Sequence, residues 1–187
     1  MKFHKPLLIL VSLLLFTCSS DDDGNSIITI LPNITLDINA INALPDGSDI
    51  TDLVNFGQPL GVSTRDWEVE LEEGGVLRFE QPGGLDSDNV LFYSRVDYFD
   101  PTGTTPAPEA EDVISFIVPD DAMQVEDPNF PGTGFNVYDK IELVAINADD
   151  DNDLDYKYDI RVMIQVNGDL LPNYYFIDPK IKIKARN

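Results

Sequence analysis

The C-terminal half of the chain alternates apolar and polar residues with a period of two. In residues 156–166, one face carries Tyr156, Tyr158, Ile160, Val162, Ile164 and Val166. In residues 180–186, isoleucine and alanine alternate with lysine and arginine. This period is that of a β-strand with one face toward a core and the other toward solvent. The pattern therefore predicts half-buried strands in both segments.

Further strands are predicted along the rest of the chain. Trp67, Val69 and Leu71 share one face, and the Glu-Glu-Gly-Gly of residues 72–75 predicts a hairpin turn into residues 76–81. Other candidates are residues 27–31, 34–38, 90–99, 113–118 and 140–147, the last predicted to pair with residues 156–166. Residues 113–118 are apolar on both faces, which favours a central strand.

These segments together favour an all-β fold. About eight to ten strands separated by Gly, Pro and Asp are typical of an antiparallel β-sandwich, immunoglobulin-like or jelly-roll-like. Residues 101–111, rich in Pro and Thr, are predicted to form a long loop. The C-terminal stretch around Asp178-Pro179 resembles the end of small bacterial immunoglobulin-like domains. We therefore expect a single β-sandwich domain over residues 27–187.

The N-terminus has the layout of a secretion signal. A basic head with Lys2 and Lys5 precedes an apolar run over residues 7–16 that only Ser12 interrupts. This run is about half the length that a membrane-spanning helix needs. Cys18, the only cysteine of the chain, follows it, and three aspartates come next at residues 21–23.

Residues 15–18, Leu-Phe-Thr-Cys, resemble the lipobox of bacterial lipoproteins, and residues 19–23 resemble acidic export signals of Gram-negative lipoproteins. The resemblance implies that residues 1–17 are a signal peptide and that Cys18 carries the lipid. It implies an anchor in the outer membrane, facing the cell exterior. Residues 19–26 then form an acidic, flexible tether. An ordinary signal peptide with an incidental cysteine is the alternative.

Composition narrows the possible functions. The formal net charge is −22, and such a surface repels phosphate groups, which argues against nucleic acid as a partner. His4 and Cys18 are the only histidine and cysteine, so residues 27–187 contain neither. This excludes imidazole-assisted nucleophiles and zinc sites made of nitrogen and sulfur from that segment. Carboxylate chemistry and calcium binding through oxygen ligands remain open.

The densest group of acids predicts a calcium site. Asp149, Asp151, Asp153 and Asp155 occupy every second position between two predicted strands. The spacing resembles the D-x-[DN]-x-[DN] opening of calcium loops, although the glycine at the sixth position and the glutamate at the twelfth are missing. The alternative is a hairpin tip whose aspartates are solvated.

Aromatic residues offer candidate platforms for sugar rings. Trp67, Tyr98, Tyr174 and Tyr175, together with Tyr93, are predicted ligand-binding residues. The alternative is burial in the core. Because Tyr174 and Tyr175 are adjacent, they point to opposite faces of a strand, and at most one of them is expected in the core.

The lysines of residues 180–186 have two interpretations. They can dock an acidic partner, or they can protect an edge strand and face Glu68 and Glu70 across a sheet. The second interpretation is preferred.

From these features we expect a cell-surface lipoprotein that acts as a non-enzymatic binding or assembly module, with a glycan or another envelope protein as its partner. A carboxylate-dependent carbohydrate-active enzyme and a purely structural accessory subunit are the alternatives.

Overall fold

The structure is a computed structural model, and it describes residues 29–31, 34–80 and 89–185. Short 3-10 helices lie at Thr51–Leu53, Thr64–Asp66 and Pro108–Asp112, and an α-helix, α1, at Ile38–Asn42. The strands are β1 Thr29–Ile30, β2 Thr35–Leu36, β3 Ser48–Asp49, β4 Val54–Asn55, β5 Glu68–Leu71, β6 Val76–Glu80, β7 Asn89–Phe99, β8 Ile114–Ile117, β9 Gln124–Glu126, β10 Asn136–Tyr138, β11 Lys140–Ala145, β12 Leu154–Val166, β13 Asp169–Ile177 and β14 Lys180–Ile183.

The strands form two principal sheets. The small sheet has the order β1-β6-β11-β8, and the large sheet has the order β3-β13-β12-β7-β10-β9. Strand β14 joins the large sheet beside β12, and β5 pairs with β14. Most neighbours are antiparallel, but β1–β6, β3–β13 and β5–β14 are parallel pairs at the margins of the sheets.

A hydrophobic core fills the space between the two sheets. Phe79 of the small sheet is fully buried, and its ring lies 6.1 Å from that of Phe92 and 6.3 Å from that of Tyr158 on the large sheet. On β12 the predicted alternation is confirmed, since its apolar series from Tyr156 onward packs into this core. The predicted all-β, sandwich-like fold is likewise confirmed.

The predicted hairpin at residues 72–75 is wrong. Strand β5 belongs to the large sheet and β6 to the small one, so the turn carries the chain between sheets. Gly74 has φ +82° and donates its N–H to the carbonyl of Ala145 at 2.7 Å. A tight glycine turn looks the same in the sequence whether the next strand pairs with the previous one or crosses to the facing sheet.

The central position predicted for residues 113–118 is also wrong. Strand β8 ends the small sheet, where Ile114 is buried and Ile117 is 39% exposed. The strand predicted for residues 34–38 is shorter than expected, because β2 spans only Thr35–Leu36 and α1 begins at Ile38. The carboxylate of Asp37 caps this helix by accepting the N–H of Ala40 at 3.1 Å.

Strand β14 lies between β12 and β5, so the predicted edge position of its lysines is wrong. The predicted pairing with glutamates is confirmed. The Lys182 ammonium lies 3.1 Å from Glu68, and that of Lys184 lies 3.7 Å from Glu70.

The loop predicted for residues 101–111 contains the start of a 3-10 helix at its C-terminal end. Both sheets include strands that precede this loop and strands that follow it.

Candidate functional site

The outer face of the large sheet collects the polar and aromatic side chains that the core excludes. Along β12, Asp159, Arg161 and Met163 alternate with the buried core residues and therefore lie on this face. Met163 belongs to a second, smaller apolar cluster with Leu91 and Val137, to one side of Arg161 along the strand.

Arg161 is surrounded by three aromatic rings. Its guanidinium carbon lies 5.8 Å from the ring centre of Tyr93, 5.1 Å from that of Tyr174 and 5.2 Å from that of Phe176. The rings come from β7 and β13, the two neighbours of β12 in the sheet. Attraction between the cation and the negative faces of the rings holds the guanidinium in place.

The loop after β9 forms one wall beside this cluster. Asp127 is fully buried, and its carboxylate accepts the Tyr93 hydroxyl at 2.6 Å and the Asn129 N–H at 2.8 Å. Asn129 in turn donates its side-chain amide to the carbonyl of Pro172 at 2.6 Å. Burial and the hydrogen bond to Asp127 raise the pKa of Tyr93 above its ordinary value of 10, so the hydroxyl remains a donor to Asp127 at alkaline as well as neutral pH.

These elements enclose an open groove of about 450 Å³, which we call the Arg161 groove. Its volume lies within the range of small-molecule sites. Asp46 lines one end and accepts the backbone N–H of Tyr174 at 2.9 Å. The principal lining side chains are those of Tyr93, Asn129, Phe130, Arg161, Asn173 and Tyr174.

A second depression, of about 190 Å³, lies on the other side of Phe176, and we call it the Asp159 pocket. Burial of the Asp159 carboxyl group, together with the negative charges of Asp178 and Asp49, raises its pKa to about 6. Asp178 accepts the Lys157 ammonium at 2.9 Å. The pocket therefore contains one carboxyl group that holds its proton unusually tightly beside a carboxylate that is paired with a cation.

Of the predicted aromatic ligand residues, Tyr93 and Tyr174 line the Arg161 groove. Tyr175 is fully buried in the core, so the expectation that at most one of this pair is buried is confirmed. Tyr98 is 7% exposed, and its hydroxyl makes no hydrogen bond within the described part of the chain. Trp67 is half-buried and packs on Phe56 with ring centres 4.9 Å apart. The core alternative describes the burial of Tyr98 and Tyr175.

The predicted calcium residues lie on a connection between the sheets rather than at a hairpin tip, because β11 and β12 do not pair. Asp149 accepts the backbone N–H groups of Asp151 at 2.8 Å and Asn152 at 3.0 Å. Asp153 pairs with Lys184 at 2.9 Å, and Asp155 lies 3.6 Å from the Lys182 ammonium.

Within the described ranges, no three acidic side chains converge as a metal-binding group would require. The structure therefore does not bring the four aspartates together, and calcium binding stays a prediction.

Cys18 and the predicted signal and tether segments lie outside the described residues. Among the helices that are described, none has the length and apolar character needed to cross a membrane.

Sequence reasoning missed Arg161. Two features of the sequence point toward its position. The alternation of β12 assigns this arginine to the outer face of the sheet. Asn167 and Gly168, both with positive φ, mark a two-residue hairpin turn into β13. A regular hairpin would nevertheless place Arg161 opposite Tyr174. The register shifts between Met163 and Gln165, and Arg161 lies opposite Phe176 instead.

Comparison with known proteins gives little further information. No protein-family model matches the chain, and no curated protein matches it. Among solved structures, the chain is similar to a crystal structure of the inclusion body protein PixA from Burkholderia cenocepacia. The two are 14% identical, the match covers 86% of this chain and 98% of that one, and the TM-score is 0.46. This likeness carries no argument about function.

Proposed function

We propose that this protein is a cell-surface lipoprotein that binds carbohydrate, without cleaving it, in the Arg161 groove. The observation that supports the proposal is the aromatic lining of an open groove on the outer face of the large sheet. Sugar rings present apolar C–H faces that pack on aromatic rings, and their hydroxyl groups need donors and acceptors around that platform.

The groove supplies both kinds of contact. Tyr174 is half-buried, and Phe130 is 49% exposed, so their rings are accessible beside the groove. Asn173 and Asp46 add an amide and a carboxylate to the lining. The hydrogen bonds of Asp127 and Asn129 fix the wall in advance, which reduces the entropy lost on binding.

Anchoring at the outer surface is the second part of the proposal. Cys18 as a lipidated residue and residues 19–26 as a tether would hold the binding domain away from the membrane. More than one acyl chain is needed for a firm anchor, at about 0.8 kcal/mol per buried methylene. A surface position fits a site that accepts polymers too large to cross an outer membrane.

The test is a calorimetric titration of the detergent-purified full-length protein against a panel of polysaccharides and oligosaccharides. For a glycan that binds, Tyr174→Ala should weaken affinity about three- to tenfold, the effect of losing one ring contact. The hydrogen bond to Asp46 uses the backbone of Tyr174 and survives the substitution.

Tyr138→Ala is the matched control, because Tyr138 is half-buried on β10 and does not line the groove. Equal losses in both variants, or no binding by any glycan, would contradict the proposal.

A carboxylate-dependent carbohydrate-active enzyme is a second candidate, and the Asp159 pocket favours it. Glycoside hydrolysis needs one carboxyl group with a raised pKa and a second carboxyl group in the same cleft. Asp159 has the raised pKa, and Asp178 lines the same pocket and accepts the Lys157 ammonium. Release of reducing ends that Asp159→Asn abolishes would support the enzyme. Binding without release supports the non-enzymatic proposal.

A further inference from the structure

We infer that the ligand of the Arg161 groove is an acidic sugar and that Arg161 binds its carboxylate group. This inference rests on the proposed carbohydrate-binding function and adds the chemical class of the ligand. It is based on a difference between Arg161 and the other described lysines and arginines in their contacts with carboxylates.

Arg161 differs from the other described cations. Each of the others has a carboxylate oxygen within 3.7 Å; these are Arg65, Arg78, Arg95, Lys140, Lys157, Lys180, Lys182 and Lys184. Arg161 has no such partner, and its guanidinium donates no hydrogen bond to any residue that the structure describes. The chain has 34 acidic residues against 12 lysines and arginines, so carboxylates are in excess.

The carboxylates beside the groove are already engaged by other donors. Asp127 accepts the Tyr93 hydroxyl and the Asn129 N–H. Asp46 accepts the backbone N–H of Tyr174. Asp46 and Asp127 thus have their hydrogen bonds without Arg161, and the guanidinium donors have no acceptor among the described residues.

The aromatic rings do not use these donors. A guanidinium meets rings through its charge and its flat faces, whereas its five N–H groups lie in its plane and form a fork that matches a carboxylate in two parallel hydrogen bonds. The rings around Arg161 restrict the side chain and exclude water from part of it. A carboxylate that enters the groove would therefore meet a donor group held in position.

A sugar acid combines that carboxylate with the ring face that Tyr174 and Phe130 can contact. Long-range charge argues for few carboxylates in the bound part, because a net charge of −22 repels a polyanion. At 0.15 M salt the Debye length is about 8 Å, so a short ligand interacts mainly with the groove itself. The ligand we infer is a short or terminal uronic-acid unit.

The experiment uses two probes with the same sugar skeleton, one with free carboxylates and one with neutral methyl esters. Digalacturonate and its dimethyl ester are titrated into the detergent-purified full-length protein at 0.15 M salt. We expect the acid to bind roughly tenfold more tightly than the ester, as one charge-assisted bidentate contact at a partly exposed site allows. Because this comparison needs only the unaltered protein, it does not depend on the folding of a variant.

Variants then assign the preference to Arg161. Arg161→Gln should make the acid and the ester bind equally, and Arg161→Lys should retain part of the difference because it keeps the charge and loses the fork. Arg95→Gln is the matched control, since Arg95 is on β7, has a 73% exposed side chain and lies outside the groove. It should leave the tenfold preference unchanged, and thermal melts report whether each variant is folded.

The outcomes separate the inference from the function on which it rests. If the acid and the ester bind the unaltered protein equally and both are weakened by Tyr174→Ala, carbohydrate binding stands and the acidic-sugar inference is wrong. If the preference survives Arg161→Gln in a folded protein, the assignment to Arg161 is wrong. If neither these probes nor any glycan of the panel binds, the proposed function fails and the inference fails with it.

Discussion

Replacing Asp159 by asparagine removes a charge from the outer face of β12 and keeps the shape of the side chain. Burial raises the pKa of Asp159 to about 6, as do the charges of Asp178, Asp49 and Asp97, while Lys157 opposes the shift. The ordinary value for an aspartate is 3.8. The folded protein therefore binds this proton more tightly than the unfolded chain does.

The sign of the effect follows from that difference. At pH 4 the carboxyl group is protonated in the folded state and only partly ionised in the unfolded chain, so little of the free-energy difference is present; above about pH 6 ionising it costs the folded state the full difference. At about 1.4 kcal/mol per pKa unit the cost approaches 3 kcal/mol, and partial exposure of Asp159 reduces it to about 1 kcal/mol. Asp159→Asn should thus stabilise the protein at pH 7 by about 1 kcal/mol and change little at pH 4.

Urea unfolding of both proteins at pH 4 and pH 7 measures this prediction. The variant is its own control, because asparagine resembles the protonated carboxyl group and the two proteins should agree at the lower pH. Aspartates that take no part in the Asp159 shift, such as Asp149 with its lowered pKa, contribute slopes of the opposite sign, but these cancel in the difference between the two proteins. A variant that is equally or less stable than the unaltered protein at pH 7, and equal at pH 4, would contradict a raised pKa of Asp159.

Three further predictions test the core, the groove wall and the anchor. Phe79→Ala should lower the free energy of unfolding in urea by about 3–5 kcal/mol, because the ring is fully buried between the sheets, and a loss below 1 kcal/mol would contradict this packing. Tyr93→Phe should cost about 1–3 kcal/mol in a thermal or urea melt, since buried Asp127 loses its 2.6 Å hydrogen bond, and an unchanged melt would contradict that bond. Cys18→Ala should move the protein from the membrane fraction to the soluble fraction, and retention in the membrane would overturn the proposed anchor.

The burial pattern of single strands could be predicted from the sequence. Alternation along β12 identified its core face because side chains on a strand point to opposite sides whatever its neighbours are. The same rule separated Tyr174 from Tyr175, and it depends only on the local backbone.

The pairing of strands could not be predicted in the same way. Residues 72–75 and the connection between β11 and β12 contain good turn residues, yet both cross between sheets. Turn chemistry fixes a change of direction, while the partner of the next strand depends on contacts far apart in the sequence. The predicted hairpins failed for this reason.

The Arg161 groove depends on two features that the local sequence pattern around Arg161 does not reveal. The irregular register between β12 and β13, in a stretch that contains Pro172, moves Phe176 opposite Arg161. Proline lacks the N–H that a regular ladder uses, which is consistent with an irregularity at this point. The Asp127 loop, more than 30 residues before Arg161, then supplies the wall. The hydrogen bonds of Asp149, in contrast, are local in sequence, because its carboxylate accepts the backbone N–H groups of Asp151 and Asn152.

Carbohydrate binding in the Arg161 groove is tested most directly by a nitrogen-15 NMR titration of the full-length protein with a glycan from the panel that binds. We expect shifts concentrated at the side chain of Arg161 and at the backbone amides of Asn129, Asn173 and Tyr174. Shifts confined to another surface, such as the connection that carries Asp149, would contradict the assignment of carbohydrate binding to the Arg161 groove.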